Sequence, residues 1–64
     1  MASGDVLKHA RQAAGLSQSA LAAKAGTSRT TLSAYEHGRK SPTLETTARI
    51  LRAAGFDLTI TARI

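Results

Sequence analysis

Four consecutive residues, Ser28, Arg29, Thr30 and Thr31, place three hydroxyls and a guanidinium at the front of what reads as a short helix. A hydroxyl both donates and accepts, and a guanidinium presents a planar fork of N–H donors. Such a set suits hydrogen bonding to planar polar edges and to anions. Bond-making chemistry has little to work with elsewhere. Four carboxylates, two separated histidines and no cysteine give no converging titratable set, and 64 residues enclose little volume. The chain is therefore read as a binding module without enzymatic activity or cofactor. His9 and His37 fall in different elements, so no metal site is expected.

The bulk numbers narrow what such a surface would bind. Lys and Arg outnumber Asp and Glu by nine to four, a formal charge of +5, which favours an acidic polymer or surface. The cations are scattered along the chain instead of forming one face, which speaks against a membrane-surface helix. No apolar run approaches the roughly 20 residues that span a bilayer, and the N-terminus has no signal-peptide core. A soluble, cytoplasmic, nucleoid-associated protein is the expectation. A chain of this size is one domain and buries only about 60% of its unfolded surface. The core must be thin, because thirteen of its hydrophobic residues are alanine and only Tyr35 and Phe56 are aromatic.

Helix signals position the polar cluster. Glycines at 15, 26, 38 and 55 each follow an Ala-, Leu- or Glu-rich stretch and read as helix stops. Ser3, Ser17, Ser28 and Thr43 read as the matching N-caps. Four helices are predicted, over roughly 4–14, 18–25, 29–37 and 44–54, each with one apolar face. Those faces carry Leu7, Arg11 and Ala14 with Val6, Ala10 and Ala13; Leu21, Ala22 and Ala25; Leu32 and Tyr35; and Leu44, Thr47, Ala48 and Leu51 with Ile50 and Ala54. Tyr35 is expected in the core. Only Gly26, Thr27 and Ser28 separate the second and third helices, which suits a tight turn between short helices that cross steeply.

The period then changes. Phe56, Leu58, Ile60, Ala62 and Ile64 alternate with Asp57, Thr59, Thr61 and Arg63, the pattern of a half-buried strand. A strand needs a neighbour, either its copy in a second chain or a further domain fused to this segment. The division expected is 1–55 as a helical domain and 56–64 as a segment for dimerisation or the start of a further domain.

The stretches L-S-Q-S-A-L-A at 16–22, A-G-T-S at 25–28, L-S-A-Y-E-H-G at 32–38 and S-P-T-L at 41–44 resemble the phage-repressor and Cro-like (XRE) helix-turn-helix family. The alternating tail is similar to that of hip-type antitoxins, in which this segment pairs between two subunits. The resemblance implies an all-α, compact four-helix domain with a short C-terminal strand pairing across a dimer. It implies that Ser28, Arg29, Thr30, Ser33 and Ala34 face the major groove of double-stranded DNA. Gln18, His37, Arg39 and Lys40 would then meet phosphates. It further implies an ion pair between Arg11 and Glu36, and dimerisation through Phe56, Leu58, Ile60 and Ile64.

Each role has a plainer counterpart. Arg29 suits a bidentate contact to guanine but also a phosphate clamp or a solvated surface position. Thr30 and Ala34 suit methyl contacts to thymine, and Ser33 could bond only to its own helix. Arg39 and Lys40 could be a solvated loop, His37 could simply end its helix, and Arg11 and Glu36 could be independent surface charges. Three positions depart from the family pattern. Ala20 stands where an acidic residue usually completes a capping box, and Thr47 and Ala54 stand where larger aliphatics are usual. The function implied is a sequence-specific transcriptional repressor binding a palindromic operator as a homodimer. The alternative is an antitoxin subunit that holds a toxin protein and autoregulates its operon.

Overall fold

The computed structural model describes residues 3–57, which form α1 (Ser3–Ala13), α2 (Gln18–Ala25), α3 (Arg29–Glu36) and α4 (Leu44–Ala53). The four-helix all-α architecture is the one the residue pattern predicts. No strand occurs among the described residues, and Leu58, Ile60 and Ile64 lie outside them.

Three helix starts are built by side-chain caps. The Ser17 hydroxyl accepts from the Ala20 amide, Ser28 from Thr31 and Thr43 from Thr46, each cap residue holding an extended backbone. Each bond satisfies one of the N–H groups that a helix start leaves without a partner. The first helix differs from expectation, because Ser3 is already helical and does not precede the helix.

The four helix ends share one device. After α3, the Gly38 amide donates to Tyr35 O at 3.1 Å and the Arg39 amide to Ala34 O at 2.9 Å. The same nested pair closes α1 through Gly15 and Leu16, α2 through Gly26 and Thr27, and α4 through Gly55 and Phe56. This is the Schellman arrangement, which needs a left-handed residue at the turn. Gly38 has φ +73°, a region costly for any residue with a Cβ. α1, α3 and α4 therefore stop one residue earlier than the pattern suggested, with the residue before the glycine already outside the helix, whereas α2 ends at Ala25 as expected.

α2 packs against α3 and α4, and α1 packs against the same two. Between them lie Leu7, Leu21, Leu32 and Ile50, all fully buried, with Ala22, Ala25, Leu51 and Ala54 closing the gaps. Each of the four large side chains contributes roughly 1.5–3 kcal/mol by leaving water. Gly4 is the unforeseen member of this packing. A Cβ built there would run into the carbonyl oxygen of Tyr35 and lie 3.1 Å from its carbonyl carbon. The absence of a side chain at Gly4 is what lets the start of α1 rest on the end of α3.

The apolar rows are shorter than the periodicity implied. Leu44 is 59% exposed, because it is the first residue of α4 and its side chain leans back along the helix, away from the core. Ala13 and Ala14 are exposed at the far end of α1. Tyr35 is half-buried and packs on the edge of the core, not inside it.

Candidate nucleic-acid interface

The orientation of α3 follows from Leu32. With about 100° per residue, a fully buried Leu32 places Thr30 and Ala34 close to the opposite side of the helix, with Ser33 and Thr31 flanking them. Thr30 is exposed, while Ser33 and Ala34 are half-buried. Arg29, the first helical residue, is exposed and makes no ion pair among the described residues. Ser28 is exposed but already engaged. Its oxygen accepts from Thr31 N at 3.0 Å and its hydroxyl donates to Thr31 Oγ1 at 2.9 Å. The cap and the hydroxyl three residues on thus form a closed pair. T-x-x-T at 43–46 forms the same pair before α4, so the three-residue spacing of hydroxyls is the local signal that could have found it.

At its other end, α3 carries a second polar group. His37 caps the helix, and its Nδ1 lies 2.8 Å from Ser33 O and 3.3 Å from Ser33 Oγ. A carbonyl can only accept, so Nδ1 carries the hydrogen and Nε2 is left for a second partner. Ser33 is thereby tied to its own helix. The turn that follows brings two cations close. The backbone amides of Arg39 and Lys40 both donate to Ala34 O, at 2.9 and 3.3 Å, which lays the loop against the last turn of α3 while both residues stay exposed.

Behind this surface lies a charged cluster that joins three helices. Arg11 Nε donates to Glu36 Oε2 at 2.8 Å and Nη2 to Oε1 at 3.0 Å, a two-pronged ion pair. Arg11 Nη1 donates to Leu16 O at 3.0 Å, in the turn after α1. Gln18, at the start of α2, adds a third donor to Glu36 at 3.2 Å. The Glu36 side chain is only 2% exposed. Burial alone raises its pKa, but the hydrogen bonds from Arg11 and Gln18 and the charges of Arg11 and Lys8 outweigh it, so its pKa falls below the ordinary carboxylate value. The Arg11 pKa is raised, first by its hydrogen bond to Glu36, against the cost of burial and with the help of the Glu36 charge.

Thr30 and Ala34 thus lie on the side of α3 away from Leu32, Arg29 is exposed at its first residue, Arg39 and Lys40 are exposed in the turn after its last, and Arg11, Gln18 and Glu36 join the helices to one another. Gln18 gives one amide hydrogen to Glu36, a tie that the sequence did not announce. Phe56 stands apart, 44% exposed beyond the end of α4. No cluster of His, Cys, Asp or Glu able to hold a metal ion occurs among the described residues. No helix among them is long and apolar enough to cross a membrane.

Exposed donors at the front of a helix, exposed cations in the turn after it and a buried ion pair bracing its last residue suit contact with an anionic, hydrogen-bonding polymer. The family described as "Helix-turn-helix domain" matches residues 3–63, nearly the whole chain. No curated protein and no solved structure matches the chain. The chain belongs to this helix-turn-helix family, a DNA-binding family related to XRE-type proteins.

Proposed function

We propose that this helix-turn-helix domain is a sequence-specific transcriptional repressor that places α3 in the major groove of a palindromic operator as a homodimer. The observation that carries the proposal is the pairing of a free, exposed Arg29 and Thr30 at the front of α3 with the exposed Arg39 and Lys40 folded against its rear. A guanidinium fork matches the two acceptors of guanine, and the Thr30 and Ala34 methyl groups match that of thymine. Arg39, Lys40 and the outward nitrogen of His37 are the phosphate contacts, which fix register without naming sequence. The Ser28 hydroxyl is occupied by the cap and by Thr31, so its base contact is made by its carbon atoms. Ser33 contributes shape in the same way, and Gln18 meets the backbone with its carbonyl oxygen while its amide hydrogen stays on Glu36.

Two copies related by a two-fold axis would present their α3 helices to half-sites about 34–36 Å apart. The cytoplasm, where DNA is, is the compartment this function requires.

Selection of bound sites from random duplex DNA tests the reading. The expected product is a palindrome with half-sites about one helical turn apart. Recovery of unselected sequence, or an affinity that does not fall as salt is raised, would refute it.

A further inference from the structure

Lys8 belongs to α1, and the packing of that helix carries it to the end of α3. Gly4, Lys8 and Arg11 follow one another at spacings of four and three residues, so they form one stripe about 10 Å long on α1. Both ends of the stripe rest on the last two residues of α3. Gly4 meets the carbonyl of Tyr35, and Arg11 holds the carboxylate of Glu36. Lys8, between them, is thereby set beside the C-terminal end of α3. It is exposed, and among the described residues it makes no ion pair, either with Glu36 or with the exposed Asp5 three positions before it on α1. Its charge still reaches Glu36: burial pushes that carboxyl's pKa up, the bonds from Arg11 and Gln18 and the Arg11 charge pull it down, and the Lys8 charge adds to the pull.

Other cationic residues occupy the same end of the helix. His37 follows Glu36 directly, and the amides of Arg39 and Lys40 donate to Ala34 O, all three residues being exposed. Glu36 is already paired with Arg11, which leaves the charges of Lys8, Arg39 and Lys40 standing. We infer that Lys8 is a further phosphate-binding residue, which carries the cationic end of α3 across onto α1. The inference rests on the DNA binding proposed above. An ammonium on a flexible stem is a point charge with three donors, suited to a phosphate and without the planar fork that matches a base edge. Such a contact positions the domain without naming a sequence. The plainer role for Lys8 is to stabilise the fold, because a cation near the last carbonyls of a helix is favoured by the helix dipole. The two roles separate on measurement: a dipole contact acts on unfolding, a phosphate contact on the salt dependence of binding.

Because a phosphate contact is blind to sequence, a random-sequence duplex serves as the probe, and its binding to the 64-residue chain is followed from about 50 to about 200 mM KCl. Lys8→Gln is expected to lower the slope of log K against log salt by about 0.9, so that its loss of affinity is about 3.5-fold greater at the low salt than at the high. Lys8→Arg is expected to keep the native slope. Arg52→Gln, which removes the same charge from an exposed position on α4, is expected to keep it too. A native slope in Lys8→Gln, or an equal fall in Arg52→Gln, overturns the inference and leaves the DNA reading in place. A native chain that does not bind the duplex, or binds it without salt dependence, overturns that reading and the inference with it. A second measurement needs no variant. Acetylation of the native chain, followed at each lysine by mass, is expected to slow severalfold at Lys8 and Lys40 when duplex is added and to stay unchanged at Lys24, exposed on α2. Equal slowing at Lys8 and Lys24, or none at Lys8, also overturns the inference.

Discussion

The two ends of α3 use charge in opposite ways. At the front, Arg29 is exposed and makes no ion pair among the described residues; at the rear, Glu36 is 2% exposed and accepts three hydrogen bonds from two other helices. A surface cation left unpaired costs the fold almost nothing, since exposed pairs are worth about 0–1 kcal/mol in the first place. A buried carboxylate is another matter, because removing its partner leaves a charge that neither water nor protein compensates. The lesson is one of division of labour. The rear fixes the direction of α3 and the front is free to meet a ligand, so one helix of eight residues serves both stability and recognition.

The sharpest break of this comparison is at the rear. Arg11→Ala is expected to cost roughly 3–5 kcal/mol in urea unfolding, because it strands Glu36. Arg29→Ala should stay within about 0.5 kcal/mol of the native chain in the same measurement. Comparable losses in the two variants would erase the distinction between the ends.

Acid gives the same contrast without a mutation at the front. The pKa of Glu36 is lowered in the folded chain, so the unfolded chain binds its proton more readily. The stabilisation is complete above the unfolded carboxylate pKa of about 4.3 and is lost as pH falls below that towards the folded value. Urea midpoints should drop across this window in the native chain and much less in Glu36→Gln. The raised Arg11 pKa lies far above the window and does not contribute to the drop.

At the front the effects are smaller and concern choice of sequence. Arg29→Ala is expected to remove about 1–3 kcal/mol of discrimination at one base pair of the selected operator, measured by competition with single-base variants. Smaller still, Lys40→Ala should weaken all sequences alike and reduce the salt slope of log K by about 0.9. A loss confined to one sequence would move Lys40 from the phosphates to the bases.

The helix stops were legible because the left-handed turn that closes each helix is a local requirement that glycine meets best, and Gly15, Gly26, Gly38 and Gly55 mark all four. The caps at Ser17, Ser28 and Thr43 were legible for the same reason, since each bond spans three residues. Gly4 was not. It terminates nothing in its own segment, and its role depends on a carbonyl 31 positions away in sequence that meets it only after α1 and α3 have packed. Leu44 misled in the other direction. It keeps the apolar period of α4 but stands one turn beyond its neighbours, where no helix covers it.

In the candidate site, the residue types at the front of α3 were readable, and so were the local ties, since Ser28 to Thr31 and Ser33 to His37 span three and four residues. The reach of Gln18 to Glu36 spans eighteen and was not. Local sequence thus determined where the helices begin and end and which residues are polar, because caps, turns and periodicity act over three or four residues. Tertiary structure alone decided the pairings between helices, because a hydrogen bond between Arg11 and Glu36 or between Gln18 and Glu36 exists only when separate helices have been brought together.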